Sequence, residues 1–483
     1  MKSSAGTEKK VKESLLTLEE VLSATKGEKI LGPDRVFFTS VVTDSRQVKK
    51  DSLFVPLIGE KLDGHTFIGK ALDKGASLVF VAKSSWKADK DNFISLSEDY
   101  PDAVFIALEN TMTGLQKTAG KYVSKFPKLI KVAVTGSSGK TTTKEIAAAI
   151  LSSRYSVITN EGNLNSETGL PLSVFNIRSE HEIGIFEMGM NRENEIGEIA
   201  EVLKPSYAII TNIGTAHIGK LGSRDNIAKE KAKVFDFFNG KGTGFIPEDD
   251  DYKKYLASCV HGKVVYYGEN AKESTVRFVK DRGLEGTEFS IAGQHGLIPL
   301  PGKYNYRNAL GAIALAQNLG LSASEVIAGV KKIKPLFGRS EVLKGNWTII
   351  QDCYNANPDS MEKALDLLSE LDFEGKKGCV LGDMLELGSD SKKAHKKTGK
   401  MAAGLGFNLI IFLGSEMENA YNEAKKIKSK TKIFYIEGHE DADIEKAAKS
   451  VKKYLPEGNL LLIKGSRGMG LERLTKILEG GNK

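Results

Sequence analysis

Cysteine is scarce in this chain: three residues, Cys259, Cys353 and Cys379, stand far apart, and no C-x-x-C pair occurs. That excludes both a disulfide framework and a cysteine-built zinc site. No uncharged apolar run is long enough to span a bilayer, so a membrane protein is not expected. The opening stretch MKSSAGTEKKVKESLL carries lysines but lacks the apolar core of a signal peptide, which leads us to expect a cytoplasmic protein. Dense basic runs with interleaved aromatics are also missing. The formal charge of +7 comes mainly from scattered lysines, and this suits anionic small-molecule substrates better than nucleic acid. Internal repeats and low-complexity linkers are absent as well.

What is present is an ordinary globular composition, 40% hydrophobic and 27% charged, in 483 residues. At about 150 residues per domain, that length predicts roughly three domains. The first, 1–128, mixes short β-like runs (RVFFTSVVT, SLFVPLIG, LVFVA, AVFIAL) with helical stretches such as FIGKALDKGA. From Leu129 the rhythm changes to apolar strand, loop, helix, repeated. LIKVAVTG, SVITN, EIGIFEMG and YAIITNIG read as buried strands, with TTTKEIAAAILSS and NEIGEIAEVLK as helices between them. This is the signature of a parallel α/β sheet.

Alternating runs between about 240 and 298 (GKVVYYG, STVRFV, TEFSIAG) predict an antiparallel part of the same domain, 129–335, closed by the helix NALGAIALAQNLG. A third block, 336–483, holds WTIIQD, KGCVLGDM, LIIFLGS, KIFYI and NLLLIKGS, the strands of a second doubly wound sheet. The expected fold is α/β throughout: a mixed N-terminal domain, a central parallel-sheet domain, and a C-terminal Rossmann-like domain. A ligand cleft is expected at the hinge near residue 335.

The sharpest local signal is Thr135-Gly136-Ser137-Ser138-Gly139-Lys140-Thr141-Thr142, which joins a buried strand to the start of a helix. Glycines there let backbone N–H groups curl around phosphate oxygens, and the helix N-terminus adds partial positive charge. Lys140 would reach the β- and γ-phosphates of ATP, and the Thr141 hydroxyl would sit on Mg²⁺. The strict pattern G-x-x-x-x-G-K-[ST] is not met, because Val134 occupies the place of its first glycine.

Glu187 ends the strand EIGIFEMG at the same sheet edge, where a carboxylate can hold Mg²⁺. His217 follows YAIITNIG and emerges there too, which makes a second metal position plausible. Lys231, in NIAKEKAKVF, reads by itself as a surface lysine, since a bare ammonium repels Mg²⁺.

These residues, in this order, resemble the Mur ligase family, which adds amino acids to the UDP-N-acetylmuramic acid peptide. The family's phosphate loop looks like TGSSGKTTT and lacks the first Walker glycine. The resemblance implies that Glu187 and His217 bind metal and that Lys231 is carbamylated, becoming an anion that holds the second of two Mg²⁺ ions. Near the front, Asp44, Ser45 and Arg46, with Asp63, Gly64 and His65, look like the family's recognition elements for the UDP-sugar-peptide. NEGNLNSETGLP, with Asn163 and Asn165, looks like its substrate loop. PGKYNYRNALGAIALA is similar to the segment that approaches adenine: Asn305 and Asn308 fit, and Tyr304 stands where a histidine is common.

In the third block the resemblance narrows to one branch of the family. Phe337-Gly338-Arg339-Ser340-Glu341, the run YNANPDS (354–360), the run GDMLELG (382–388) and Lys464-Gly465-Ser466-Arg467-Gly468-Met469 look like the branch that adds D-alanyl-D-alanine to UDP-N-acetylmuramoyl-tripeptide. That implies Arg339 and Asp352 on ATP, with Tyr354, Asn355, Asn357, Lys464, Ser466 and Arg467 on substrate. Gln351 stands where many relatives carry a first aspartate. The implied chemistry passes the γ-phosphate to a carboxylate and then lets an amine displace phosphate from the acyl phosphate, in a chain expected to be a monomer. A folylpolyglutamate synthase-like ligase and a P-loop nucleotide switch are the competing readings.

Overall fold

The structure, a computed structural model, describes residues 13–272 and 274–480, so most of the lysine-bearing opening stretch lies outside the described residues. Two compact units emerge. One contains the chain up to residue 129 with 160–182 and 198–204; the other contains 130–159, 183–197 and everything from 205 onward.

In the first unit a five-stranded sheet runs in the order Glu28–Leu31, Val104–Leu108, Ala76–Ala82, Ser52–Phe54, Ser40–Val42. The outer pair Glu28–Leu31/Val104–Leu108 is antiparallel and the rest are parallel. Of the run RVFFTSVVT only Ser40–Val42 is strand. Two aspartates start short helical turns beside this sheet: Asp44 accepts the Arg46 N–H at 2.8 Å, and Asp63 accepts the His65 N–H at 2.9 Å.

The second unit carries a six-stranded, wholly parallel sheet: Gly262–Tyr267, Gly242–Pro247, Tyr207–Ile210, Ile130–Thr135, Ile183–Glu187, Val157–Thr159. The central strands are near-continuous Val/Ile/Ala runs because both faces are covered, as in any sheet wrapped by helices. Lys140–Leu151 and Lys303–Asn318 pack over it around Ile146, Ile150, Ile209 and Ile313.

GKVVYYG, expected in the antiparallel part, is instead the edge strand of this parallel sheet. Its alternating burial arises because an edge strand has one face against helix Lys303–Asn318 and the other open, which imitates an antiparallel pattern. The antiparallel part itself is three-stranded: Val276–Asp281, Thr287–Ile291, Gln294–Ile298.

The third sheet runs Glu341–Lys344, Thr348–Asp352, Leu460–Lys464, Lys377–Gly382, Leu409–Leu413, Lys432–Ile436, antiparallel only in its first pair. Separate apolar clusters cover its two faces, so it is doubly wound. Among the described residues no helix is long and apolar enough to cross a membrane.

Candidate functional site

Strand order decides what meets the phosphate loop. Ile130–Thr135 lies between Tyr207–Ile210 and Ile183–Glu187, so the loop after it is flanked by the C-terminal ends of both neighbours. The loop is shaped by two left-handed glycines, Gly136 (φ 149°) and Gly139 (φ 78°). A Cβ at Gly136 would lie 1.8 Å from Thr211 Oγ1, and one at Gly139 would lie 2.3 Å from Asn308 Oδ1, so larger residues clash at both positions.

The sequence reading missed Asn212. Its Oδ1 accepts the N–H groups of Ser137 (3.1 Å) and Ser138 (2.9 Å), while Nδ2 donates to Ser138 Oγ at 2.9 Å. Thr211 Oγ1 donates to Ser138 O at 2.6 Å. The available signal was a Thr-Asn pair directly after a buried strand at the sheet's ligand edge.

Helix Lys140–Leu151 begins at the loop's end, and its second residue, Thr141, donates through its hydroxyl to Glu187 Oε2 at 2.5 Å. Glu187 is only 3% exposed. Lys140 stands beside it: burial lowers the pKa of its ammonium, Glu187 opposes that, and the Arg339 guanidinium adds to it. Lys231, 1% exposed at the end of helix Arg224–Ala232, has its pKa held well below that of a free lysine. Desolvation is the main cause and Lys140 the next, with Glu230 and Glu187 opposing.

The structure therefore brings Lys140, Thr141, Glu187 and Lys231 together. His217 takes a left-handed conformation (φ 63°) ahead of the short helix Ile218–Leu221, and its Nδ1 lies 3.2 Å from Glu386 Oε2 of the GDMLELG run. Among the described residues no three His, Cys, Asp or Glu side chains converge as a preformed metal site. The Thr141–Glu187 oxygen pair does match the hard-donor preference of Mg²⁺. A cation between His217 and Lys231 would need the amine converted to an oxygen donor.

Next to the loop lies a cavity of about 590 Å³ lined by Thr211, Asn212, Tyr267, Tyr304, Tyr306 and Asn308, among others. Asn305 turns elsewhere: its Nδ2 donates to Pro301 O at 2.8 Å within its own helix start. Tyr304, where the family resemblance expects histidine, hydrogen-bonds Ser340 Oγ at 2.7 Å and so joins helix Lys303–Asn318 to the start of the third block. Burial pushes its hydroxyl pKa up. Arg339 stacks over the Tyr354 ring, 4.1 Å from the centroid.

Asp352 accepts from the Ser340 N–H at 3.2 Å and pairs with Lys464, Nζ to Oδ2 2.6 Å. Asn355 Oδ1 accepts the Ala356 N–H at 2.8 Å. Asn357 is the N-cap of helix Pro358–Glu370, holding the Ser360 N–H at 2.9 Å. Ser466 Oγ accepts the Leu385 N–H at 2.9 Å, and Arg467 pairs with Glu472 at 2.8 Å.

The first unit holds the remaining candidates. Arg46 clamps the Asp44 carboxylate at 2.7 Å and pulls its pKa to about 2, with Ser45 between them in the turn. His65 Nε2 accepts the Ala82 N–H at 2.9 Å, so the ring proton sits on Nδ1, 2.6 Å from Asp63 Oδ1. A Cβ on Gly64 would lie 2.7 Å from Leu57 N. Asn163 O accepts the Asn165 N–H at 2.7 Å, and Asn160 Nδ2 holds Leu164 O at 2.7 Å.

A parallel sheet with a strand–phosphate loop–helix unit, a carboxylate on the loop threonine and a second doubly wound sheet in the same unit define a phosphate-loop, nucleotide-binding α/β architecture. Family models match three stretches: "Mur ligase family, catalytic domain" over 38–113, "Mur ligase middle domain" over 134–316 and "Mur ligase, glutamate ligase domain" over 338–467. The chain belongs to the Mur ligase family of ATP-dependent ligases.

Within that family it is 40% identical to the UDP-N-acetylmuramoyl-tripeptide–D-alanyl-D-alanine ligase of Treponema pallidum, over 96% of this chain and 99% of the relative. The crystal structure of MurF from Acinetobacter baumannii superposes with a TM-score of 0.84 at 27% identity, covering 97% of this chain and all of that one (100%). The MurF ligase of Thermotoga maritima, solved in complex with ADP, gives 0.76 at 27% identity, covering 92% and 97%.

Proposed function

We propose that this chain joins D-alanyl-D-alanine to UDP-N-acetylmuramoyl-tripeptide at the expense of ATP, giving the UDP-N-acetylmuramoyl-pentapeptide used in peptidoglycan synthesis. One observation carries the reading. The Thr141–Glu187 pair and part-buried Lys140 share a unit with Arg339, Asp352 and the YNANPDS helix start, so the phosphate-handling and the third-block groups stand in one assembly. Full-length similarity to ligases of that name supports it.

The chemistry runs in two displacements. The tripeptide's terminal carboxylate attacks the γ-phosphorus and the bond to the ADP oxygen breaks, leaving an acyl phosphate. The dipeptide's neutral amine then attacks the acyl carbon, the carbon–oxygen bond to phosphate breaks, and the amine proton is lost to solvent. Loop amides from Thr135 to Thr142 would cradle the phosphates, with Lys140 balancing charge on the transferred group. Thr141 and Glu187 would hold Mg²⁺, which when bound neutralises charge on the phosphate oxygens.

Lys231 is suited to carbamylation, because its burial disfavours the ammonium and the free amine is a nucleophile for CO₂: the N–C bond forms and one proton leaves. With His217 it would then provide the second Mg²⁺ site. Asn308, which lines the cavity, belongs to the adenine side, Asn305 supports it from the helix start through its bond to Pro301, and Arg339 and Asp352 belong to phosphate and ribose. Tyr354, Asn355, Asn357, Lys464, Ser466 and Arg467 serve the dipeptide side. Asp44, Ser45, Arg46, Asp63, Gly64, His65, Asn163 and Asn165 serve the UDP-substrate side. The domains follow as 1–128 for the UDP-substrate, 129–335 for ATP and 336–483 for the dipeptide, in a cytoplasmic monomer. A folylpolyglutamate synthase or a nucleotide switch would use the phosphate loop but leave the YNANPDS segment without a role.

The test is mass spectrometry of a reaction holding ATP, Mg²⁺, the UDP-tripeptide and D-Ala-D-Ala. A UDP-pentapeptide product is expected; its absence with both diaminopimelate- and lysine-containing tripeptides contradicts the proposal. Arg339→Ala should lower turnover strongly while UDP-tripeptide binding is kept.

A further inference from the structure

A single short loop, 211–215, is bonded on one side to the phosphate loop and on the other to the third sheet's first helix. Toward the phosphate loop, Thr211 and Asn212 hold Ser137 and Ser138 as described above, and the Gly214 N–H donates to Ser137 Oγ at 2.8 Å. On the other side, Asp359 Oδ2 accepts both the Thr215 N–H (2.8 Å) and the Thr215 hydroxyl (3.1 Å). Gly214 sits between the two. A Cβ there would lie 2.2 Å from Asp359 Oδ2 and 3.2 Å from Ser137 Cβ, so the glycine is what lets both partners close in.

Asp359 stands in the first turn of helix Pro358–Glu370, but that helix already has its cap in Asn357, which satisfies the Ser360 N–H. The Asp359 carboxylate is thereby free to reach across to the neighbouring sheet. Loss of a charged acceptor for two donors at a part-buried site is expensive, and a loop displaced by about 1 Å beside a reacting phosphate costs on the order of 100-fold in rate.

We propose that Asp359 is a positioning residue: through Thr215 and Gly214 it ties the seating of the third sheet to the shape of the phosphate loop. The loop amides are fully ordered for the γ-phosphate only when helix Pro358–Glu370 is docked. The proposal deepens the ligase reading and rests on it for its kinetic form.

The experiment compares the full chain with Asp359→Ala, Asp359→Asn and Thr215→Val. It measures kcat and KM for all three substrates, the affinity for a non-hydrolysable ATP analogue, and Tm. Asp359→Ala should lower kcat at least tenfold and raise KM for ATP, leaving KM for the UDP-tripeptide within about twofold. Asp359→Asn, whose amide oxygen can still accept the Thr215 N–H, should recover most of the loss, and Thr215→Val should fall between.

A helix-stability role would lower Tm without this split or rescue. Wild-type kcat and analogue affinity in Asp359→Ala would overturn the coupling. Equal damage in the Ala and Asn variants, with KM for the UDP-tripeptide raised as well, would also overturn it. Analogue affinity separates the two claims: a wild-type chain that binds the analogue but forms no amide contradicts the ligase reading alone.

Discussion

Lys464 and Asp352 face each other across neighbouring parallel strands, Nζ 2.6 Å from Oδ2, with the lysine side chain 1% exposed and the aspartate 16%. Such a pair is costly to break from one side, because the surviving charge stays in a poorly hydrated place. Lys464→Ala should destabilise the chain by about 3–5 kcal/mol. Lys464→Met with Asp352→Leu should restore much of the loss in a urea titration while remaining inactive. A single variant as stable as wild type would show that the pair is not a buried one in solution.

Glu187 is predicted to matter through its charge rather than its shape. Glu187→Gln keeps a partner for the Thr141 hydroxyl but removes the anion whose charge acts on both Lys140 and Lys231. Turnover should drop by about 10²–10³-fold with little change in KM for the UDP-tripeptide, measured by initial rates at saturating ATP. A fall of less than about threefold would remove Glu187 from phosphate chemistry.

Lys231 offers a chemical test. Lys231→Ala should be nearly inactive, and a short carboxylic acid such as acetate, entering the vacated space, should restore part of the rate. Removing dissolved CO₂ should slow the wild-type chain but leave the variant's rescued activity unaffected. Rescue by methylamine but not by acetate would contradict the carbamate.

Glu325 contributes to the acid limb of stability. Arg154, after helix Lys140–Leu151, pairs with Glu325 at 2.6 Å, and that pairing, with the hydrogen bonds from the Ser322 hydroxyl and N–H, holds the Glu325 pKa at about 2. A carboxylate with a folded-state pKa below its unfolded value stabilises the fold above the ordinary carboxylate range and loses that contribution as pH falls through about 2. Arg154→Ala should therefore lower Tm slightly at neutral pH, with the difference closing toward about pH 2 and shrinking in high salt. A difference that widened on acidification would contradict the assignment.

Much of this was legible in the chain. An apolar run, then Gly-Ser-Ser-Gly-Lys-Thr, then a helical run can hardly be placed other than as strand, loop and helix, and the carboxylate at Glu187 follows from its strand's end. What escaped was relational. Asn212 looks like any polar residue after a strand until Tyr207–Ile210 is seen beside Ile130–Thr135. Thr215 and Asp359, 144 positions apart, carry no local sign of their contact.

The strand Glu341–Lys344 is short and half-exposed, too weak a pattern to stand out, and the edge position of GKVVYYG disguised its direction. Tyr304 shows how a departure from a family pattern can carry its own bond, since its hydroxyl reaches Ser340.

The most direct test of the ligase reading is phosphate release from ATP with Mg²⁺, omitting the UDP-N-acetylmuramoyl-tripeptide and D-alanyl-D-alanine in turn. Release that requires both substrates is the predicted result. Release at the same rate whether or not either substrate is present would contradict it and leave a nucleotide hydrolase.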